Sequence, residues 1–304
     1  MDERNIQKFL NRNYNVDIQS LELFRRGGNV SYVASGKNNK YFLKIIRPPF
    51  LETAVQSVDI QMYLLRSLFP AIPIVPSTDG APYARVEDEG QDFIFIVYEF
   101  IEGGEPDPQD TEKAGELTGK LHQAMKDYAG ILPKRDKYFF VDRYIDQLRS
   151  MHYPKAEAFL AYGNELWEKV KDLPRGYCHC DLYRGNIHKA NSNVMYVVDF
   201  DTSCTAFPMY DAALFCNDTN YFNYDRDGYF RSEARLESFL KGYMRHYTIC
   251  AEEISSFFNM IALYHFQLQA TMIELHGTDS FTHSFFERQY QWLLRWKEQC
   301  GERF

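Results

Sequence analysis

The first hundred residues alternate short apolar runs with turn-forming residues. An amphipathic segment at residues 2–12 precedes three runs of apolar, β-branched and aromatic residues, at positions 18–24, 30–34 and 41–46. Turns rich in glycine and asparagine separate these runs. The pattern therefore predicts a short helix followed by an antiparallel meander of three strands.

A helix and a hairpin complete this part of the predicted fold. Apolar residues recur at helical spacing over residues 52–69, and a series of prolines ends the pattern. A hairpin is predicted over residues 81–98. Its second strand, residues 93–98, is continuously apolar, which is typical of a strand buried on both faces.

The pattern changes after a linker rich in glycine and proline, residues 102–108. Beyond it apolar residues recur at helical spacing, and one predicted strand pair, residues 186–200, interrupts the helices. The predicted helices span residues 110–127, 139–151, 155–171, 229–248, 251–275 and 280–299. We predict an α+β fold with an N-terminal lobe at 1–98, a hinge at 99–108 and a mainly helical C-terminal lobe at 109–304.

Composition and charge exclude several classes of function. The chain has 45% hydrophobic and 25% charged residues and a formal net charge of −8. It has no long run of basic residues, so the sequence lacks the cluster of positive charge that is typical of nucleic-acid-binding proteins. No apolar stretch approaches the ~18 residues of a membrane span, and the charged N-terminal segment lacks the apolar core of a secretory signal. We expect a cytoplasmic protein that binds neither nucleic acid nor membrane.

The six cysteines do not suggest a disulfide framework in a chain of 304 residues. Cys178 and Cys180 flank His179, but three positions so close on an extended segment do not easily converge on one ion. No second Cys/His pair stands at zinc-finger spacing. We expect reduced thiols here.

The most informative segment is residues 179–201. Asp181 and Asn186 stand five positions apart, and a later apolar run ends at Asp199. The turn at residues 189–193 should bring Asn186 and Asp199 together. An amide oxygen and a carboxylate suit a hard cation such as magnesium, and Asp181 can then accept a proton from a hydroxyl group. Phosphoryl transfer needs this combination of groups.

The same segment resembles the superfamily of aminoglycoside phosphotransferases, choline kinases and homoserine kinases. The motifs are H-x-D-x-x-x-x-N at residues 179–186, V-D-F-D at 198–201 and P-M-Y-D-A-A at 208–213. The resemblance implies a protein-kinase-like fold of two lobes, an N-terminal antiparallel sheet with a helix and a mainly helical C-terminal lobe. It also implies ATP- and Mg2+-dependent transfer of the γ-phosphate to a hydroxyl group of a small molecule.

The resemblance implies roles for individual residues of these motifs. Asp181 would be the catalytic base or the group that orients the acceptor hydroxyl. Asn186 and Asp199 would be the magnesium ligands, and Asp211 would be a structural carboxylate that holds the loop.

On the nucleotide side, Lys44 is a lone charge among apolar neighbours on the third predicted strand. The resemblance implies that it contacts phosphates, that the preceding glycine turn covers them, and that hinge backbone groups hold adenine. An exposed lysine and an ordinary hairpin turn are the structural alternatives. The predicted nucleotide-binding residues are Lys44, Gly28, Asn29, Ser31, Glu99 and Ile101. The family usually pairs this lysine with a helical Glu, where this chain has Gln61.

No A-P-E motif follows Asp199, so a small acceptor is favoured over a peptide. Acidic and aromatic residues at positions 218–231 and 257–275 could bind an amine or stack on a ring. They could equally be solvated acids and core aromatics. The predicted acceptor-binding residues are Asp218, Tyr221 and Glu274.

Several alternatives stay open from the sequence. The acceptor could be an amino alcohol, an amino sugar or an amino acid, and the role metabolic or antibiotic-modifying. A different class is a weak or inactive nucleotide-binding or structural protein on the same fold, similar to spore-coat proteins that resemble this family. Gln61 favours this alternative slightly, whereas the intact Asp181, Asn186 and Asp199 favour an enzyme. The oligomeric state is not predicted.

Overall fold

The computed structural model describes residues 2–301, and within this range the chain forms ten α-helices and eleven β-strands. The helices are α1 (Glu3–Asn13), α2 (Leu51–Arg66), α3 (Thr111–Ala124), α4 (Arg143–Ser150), α5 (Ala156–Val170), α6 (Pro208–Cys216), α7 (Asp227–Tyr243), α8 (Ala251–Ser255), α9 (Phe257–His276) and α10 (His283–Gly301). The strands are β1 (Ile18–Arg26), β2 (Val30–Gly36), β3 (Lys40–Ile46), β4 (Ile74–Val75), β5 (Ala84–Asp88), β6 (Gln91–Glu99), β7 (Gly103–Gly104), β8 (Gly176–Cys178), β9 (Ile187–Ala190), β10 (Met195–Val197) and β11 (Cys204–Ala206).

The chain divides into two compact units. The first unit comprises residues 2–105, 128–130 and 186–202. The second unit comprises residues 106–127, 131–185 and 203–301. The predicted α+β class, with an N-terminal antiparallel sheet and a helical C-terminal part, is confirmed. The contiguous boundaries at 1–98, 99–108 and 109–304 stay a prediction.

The first unit is built on an antiparallel sheet of six strands in the order β1-β2-β3-β6-β4, with β5 also paired to β6. Because successive side chains of a strand point to opposite faces, β6 contributes side chains to two hydrophobic cores, one on each face of the sheet. Phe95 and Val97 pack with α1, whereas Ile94 and Ile96 pack with α2. This arrangement explains the continuously apolar run at residues 93–98, whose predicted burial on both faces is confirmed.

The hairpin of β9 and β10 also belongs to the first unit, and the predicted strand pair is thereby confirmed. Its register sets Ile187 opposite Val197. The short strand β7 extends this hairpin, with Gly103 opposite Ala190. A Cβ atom at Gly103 would lie 2.1 Å from the carbonyl oxygen of Lys189, so only glycine permits this approach of the two backbones.

In the second unit, glycines allow α3 and α7 to pack closely. A Cβ atom at Gly115 would lie 2.0 Å from the carbonyl oxygen of Phe239, and one at Gly242 would lie 1.9 Å from that of Glu112. Real Cβ atoms do not approach backbone oxygens so closely. Each helix therefore contacts the other through a strip of its surface that carries no side chains, and the side chains on either side of this strip fill the core.

Two details of the second unit differ from the predicted pattern. The predicted helix over residues 251–275 is divided at Ser256, whose hydroxyl donates to the carbonyl oxygen of Glu253. Strands β8 and β11 were not predicted, because three residues are too few to show a period of two. Across residues 2–301, none of the helices combines the length and apolarity that crossing a membrane requires.

Candidate active site

A lysine and two carboxylates form the charged centre of the first unit. The Nζ atom of Lys44, on β3, lies 2.7 Å from Asp199 Oδ1 and 2.7 Å from Asp201 Oδ2. Strand alternation directs Lys44 away from its neighbours in the α1 core and toward the side on which α2 packs. The turn at Phe200–Thr202 packs on α2 as well. Lysine and carboxylates therefore meet on one side of the sheet.

The surroundings keep Lys44 charged. Burial disfavours an ammonium ion and by itself would lower its pKa. The negative charges of Asp199 and Asp201 outweigh burial and raise the pKa of Lys44 above its ordinary value. Only 15% of the lysine side chain is exposed. Lys44 is thus a charged donor held between two carboxylates, which suits contact with phosphate.

Asp201 has no predicted role from the sequence, although it ends the V-D-F-D motif. The residue at the expected lysine-pairing position, Gln61, is buried on α2 and donates instead to the carbonyl oxygen of Ile72. The carboxylates of Asp199 and Asp201 are the ion-pair partners that the described residues provide for Lys44. The missing helical Glu is therefore compensated by a carboxylate from the turn after β10.

Asn186 and Asp199 lie at the same end of the β9–β10 hairpin. The N–H of Val198 donates to the carbonyl oxygen of Asn186 at 3.0 Å, one position beyond the last strand pair. Asn186 is buried. Asp199 has a φ of 65°, in the left-handed region that a non-glycine residue rarely adopts. Such backbone strain is concentrated at functional sites.

The donor atoms at this end of the hairpin fit a hard divalent cation. Asn186 offers an amide oxygen, and Asp199 and Asp201 offer carboxylate oxygens, which are the ligands that Mg2+ prefers. The Oδ1 atom of Asp201 is buried and has no hydrogen-bond partner within residues 2–301. An unsatisfied buried oxygen is costly in a folded protein, and a cation bound beside it would remove that cost.

The predicted phosphate-covering turn is held by an arginine that sequence reasoning missed. Arg47 follows β3 and donates from Nη2 to the carbonyl oxygen of Gly27 at 2.6 Å and from Nε to that of Gly28. Its backbone N–H donates to Asn29 Oδ1 at 3.3 Å. Ser31, on β2, lies directly opposite Lys44. Gly28, Asn29 and Ser31 are thus placed at the lysine end of β3.

Two backbone groups of the predicted adenine-binding hinge are already engaged. The N–H of Glu99 donates to the carbonyl oxygen of Pro73 at 3.0 Å. The carbonyl oxygen of Ile101 accepts from His188 Nε2 at 2.9 Å. The carbonyl of Glu99 and the N–H of Ile101 are not part of these two hydrogen bonds.

In the second unit, a buried carboxylate holds the loop that carries Asp181. The backbone N–H groups of His179 and Cys180 donate to Asp211 at 2.6 Å and 2.8 Å. His122 Nε2 lies 3.0 Å from the same carboxylate. Cys180 has a φ of 67°, so the residue before Asp181 is left-handed like Asp199. The hydrogen bonds to Asp211 therefore fix the conformation of the loop that carries Asp181.

Asp211 is ionised despite being buried. Burial would raise the pKa of its carboxyl group, but the hydrogen bond and charge of His122 and the backbone N–H of His179 outweigh burial. The pKa of Asp211 is therefore held below its usual value. These contacts agree with the structural role that the family resemblance implies.

Two tyrosines lie beside Asp181. The rings of Tyr221 and Tyr264 are 5.4 Å apart, edge to face, and Asn217 Nδ2 donates to the hydroxyl of Tyr221 at 2.7 Å. Burial raises the pKa of both tyrosines, and the negative charge of Asp181 raises it further. Of the three predicted acceptor-binding residues, Tyr221 is thus placed close to the predicted catalytic carboxylate.

The other two predicted acceptor-binding residues form ion pairs. Asp218 Oδ2 lies 2.8 Å from Arg235 Nη2 and 3.2 Å from Arg231 Nε. Glu274, on α9, lies 2.9 Å from Arg143 Nη1. The charge of each acid is therefore already compensated, and these contacts do not support simple attraction of an amine by Asp218.

Arg143, like Arg47, is a cationic group that the sequence reasoning did not identify. Its Nη2 atom also donates to Thr271 Oγ1 at 3.1 Å, on the same face of α9 as Glu274 and Tyr264. The guanidinium of Arg143 lies 4.9 Å from the ring of Phe139, and that of Arg135 lies 4.4 Å from the same ring. Two arginines therefore flank one aromatic ring in the unit that carries Asp181.

The chain is similar to known phosphotransferases. The family described as "Phosphotransferase enzyme family" matches residues 23–254. A homoserine kinase of Rhizobium meliloti (strain 1021) is 23% identical over 304 residues, covering 91% of this chain and 84% of that protein. A homoserine kinase of Zymomonas mobilis subsp. mobilis is 23% identical over 172 residues, and this chain spans about half of its length, 52%.

Among solved structures, the fold is similar to that of the amicoumacin kinase hAmiN, in a complex with AMP-PNP, Ca2+ and Ami. The TM-score is 0.77 at 20% identity, and the match covers 99% of this chain and 94% of that protein. The predicted protein-kinase-like fold is thereby confirmed.

Proposed function

Because the chain belongs to the phosphotransferase enzyme family, we propose that it transfers the γ-phosphate of ATP, with Mg2+, to a hydroxyl group of a small molecule. The superfamily predicted from the motifs is confirmed by this membership. The observation that carries the proposal is the pairing of Lys44 with Asp199 and Asp201 at the end of the hairpin that holds Asn186.

In this proposal the first unit binds the nucleotide. Lys44 contacts phosphate oxygens, the backbone of Gly28 and Asn29 covers them, and Ser31 contributes its hydroxyl. The carbonyl of Glu99 and the N–H of Ile101 contact adenine. Asn186 and Asp199, with Asp201 beside them, would hold Mg2+. The bound cation would neutralise phosphate charge during transfer.

The second unit supplies the acceptor side of the proposed reaction. Asp181 accepts a hydrogen bond from the acceptor hydroxyl and takes up its proton as the new oxygen–phosphorus bond forms and the bond from the γ-phosphorus to the departing ADP breaks. Asp211 keeps the loop in place through the N–H groups of His179 and Cys180. Tyr221 and Tyr264 enclose the region next to Asp181.

Among the three acceptor classes predicted from the sequence, an amino acid is favoured. Arg143 provides a guanidinium for a carboxylate, since its Nε atom is buried and has no hydrogen-bond partner within residues 2–301, whereas Glu274 stays paired with Arg143. An amino sugar or a simple amino alcohol has no carboxylate for Arg143. The relatives named homoserine kinase support the same class.

The alternative of a weak or inactive protein rested on Gln61. Since Lys44 has two carboxylate partners of its own, the absence of a helical Glu no longer argues against turnover. A cytoplasmic location stays a prediction.

The proposal is tested by measuring ADP release with a panel of acceptors that share a hydroxyl group. We expect turnover with homoserine or a related hydroxy amino acid, and little with amino alcohols or amino sugars. Asp181→Asn should abolish turnover and leave binding of AMP-PNP nearly unchanged. The matched control is Asp172→Asn, an exposed acid outside both sites, which should retain the wild-type rate. Full activity of Asp181→Asn would refute the assigned role.

The acceptor class is tested separately with Arg143→Met, which keeps the apolar stem of the side chain and removes its guanidinium group. We expect KM for a hydroxy amino acid to rise by about 10–100-fold, the loss of one charge-assisted contact, with KM for ATP unchanged. Equal loss with acceptors lacking a carboxylate would contradict the amino-acid assignment and leave the kinase proposal intact.

A further inference from the structure

Three cysteines meet at the base of the loop that carries Asp181. Their Sγ atoms all lie within 4.8 Å of one another, and the residues are Cys178, Cys180 and Cys204. All three are buried, with exposed fractions of 0%, 3% and 0%. None of them is part of a disulfide. We call these residues the thiol cluster.

The fold, rather than the spacing along the chain, assembles the thiol cluster. Cys178, at the end of β8, is the direct cross-strand partner of Cys204 at the start of β11, so both side chains point to the same face of the pair. Cys180 is left-handed, with a φ of 67°, and its N–H is bound to Asp211. The prediction of reduced thiols from the sequence considered Cys178 and Cys180 without Cys204.

The geometry of the thiol cluster suits a small thiophilic cation. A zinc ion with metal–sulfur bonds of about 2.3 Å holds its sulfur ligands about 3.8 Å apart. Sulfur atoms within 4.8 Å of one another reach that spacing through side-chain shifts of about 1 Å or less. Asp211 Oδ1 lies 3.2 Å from Cys178 Sγ and places a hard oxygen at the edge of the cluster.

We propose that the thiol cluster binds one thiophilic divalent cation, such as Zn2+, through three thiolates. Binding replaces the three S–H protons, which are released to solvent, and the sulfurs keep their electron pairs as donors to the metal. The hydrogen bond from Cys178 to Asp211 is lost with its proton, so the carboxylate then faces the cation. Because Cys180 directly precedes Asp181, a bound cation would pin the segment that carries the proposed hydroxyl-orienting residue.

The test uses the full-length reduced protein and Cd2+ as the probe, because cadmium–thiolate bonds absorb in the ultraviolet. One sample is incubated with Cd2+ in the native state, and a second is refolded from urea with Cd2+ present, so that slow entry into a buried site does not hide binding. We expect one Cd2+ per chain after gel filtration, with cadmium-edge X-ray absorption that counts three sulfur neighbours. Bound metal should also raise Tm.

Substitution of individual cysteines tests which residues bind the metal. Cys204→Ala should weaken Cd2+ binding by at least about 100-fold, since outer-shell partners of a metal alone contribute 10–100-fold. Cys180→Ala serves as a second variant, and the circular dichroism of each is compared with that of the wild type. The matched control is Cys216→Ala, a buried cysteine on α6 outside the cluster, which should bind Cd2+ like the wild type.

Other outcomes would overturn the proposal. Binding that disappears with Cys250→Ser and Cys300→Ser would assign the cadmium to the two half-buried thiols. Absence of stoichiometric cadmium in both samples would mean that the three cysteines act only as small apolar core residues. Neither measurement involves ATP or an acceptor, so failure here leaves the proposed function untouched.

Discussion

Replacement of Asp211 by asparagine tests how strongly the catalytic loop depends on one buried charge. Asp211 is completely buried and accepts from His179 N–H at 2.6 Å, from Cys180 N–H at 2.8 Å and from Cys178 Sγ at 3.2 Å. His122 Nε2 lies 3.0 Å from it. Asparagine keeps the shape, but its amide NH2 must face one of the two backbone N–H groups.

The expected cost is large because the substitution leaves two buried donors without an acceptor, whichever oxygen the amide NH2 replaces. Breaking a buried charged pair by removing one partner costs about 3–5 kcal/mol. A native protein has a free energy of unfolding of about 5–15 kcal/mol. Asp211→Asn should therefore lose a substantial share of its stability. It should also lose turnover, since the loop that positions Asp181 loses its anchor, while AMP-PNP binding in the folded fraction persists.

The assay is equilibrium unfolding in urea, followed by circular dichroism, with Asp172→Asn as the control for loss of an exposed acid. We expect the control to unfold within about 0.5 kcal/mol of the wild type. A loss of less than about 1 kcal/mol in Asp211→Asn, together with wild-type turnover, would refute the argument that this carboxylate holds the loop.

Three further predictions follow from the contacts. Since the pKa of Asp211 is depressed in the folded state, its contribution is complete above the ordinary Asp pKa of about 3.9 and is lost as pH falls through the lower folded value. The difference in free energy of unfolding between wild type and Asp211→Asn should therefore shrink below about pH 4, and a constant difference in urea titrations would contradict the sign. Asp201→Asn should lower kcat/KM for ATP by about 10–100-fold, which corresponds to the loss of one hydrogen bond to a charged group. Gln61→Glu should not raise kcat/KM, because Gln61 donates to the carbonyl oxygen of Ile72 rather than pairing with Lys44. Unchanged kinetics of Asp201→Asn would contradict the role of Asp201 as a partner of Lys44. Gly242→Ala should destabilise the protein by about 1–3 kcal/mol or more, because the new methyl group meets Glu112 O at 1.9 Å. Gly104→Ala, where nothing lies within 4 Å, is its control, and equal urea midpoints for the two variants would contradict the packing argument.

Local patterns were sufficient for much of the fold. The alternation of apolar runs and glycine turns predicted the first three strands, and the apolar run at residues 93–98 predicted a strand with two buried faces. Turn chemistry predicted the hairpin that places Asn186 and Asp199 at the same end. These features depend on residues close together in the chain. The break at Ser256 escaped prediction because the apolar period continues through it.

The sequence by itself determined the class of fold and the family motifs, because the periodicity of helices and strands and the spacing of loop residues depend only on residues that are close together in the chain. Only the tertiary structure decided which charges meet. Lys44 pairs with Asp201 rather than with a residue of α2, Glu274 is compensated by Arg143, and Cys204 joins the two cysteines of β8 and the loop. Each of these contacts joins elements far apart in the chain. These contacts depend on how separate helices, strands and loops pack against one another, and the periodicity of a local segment carries no information about that packing.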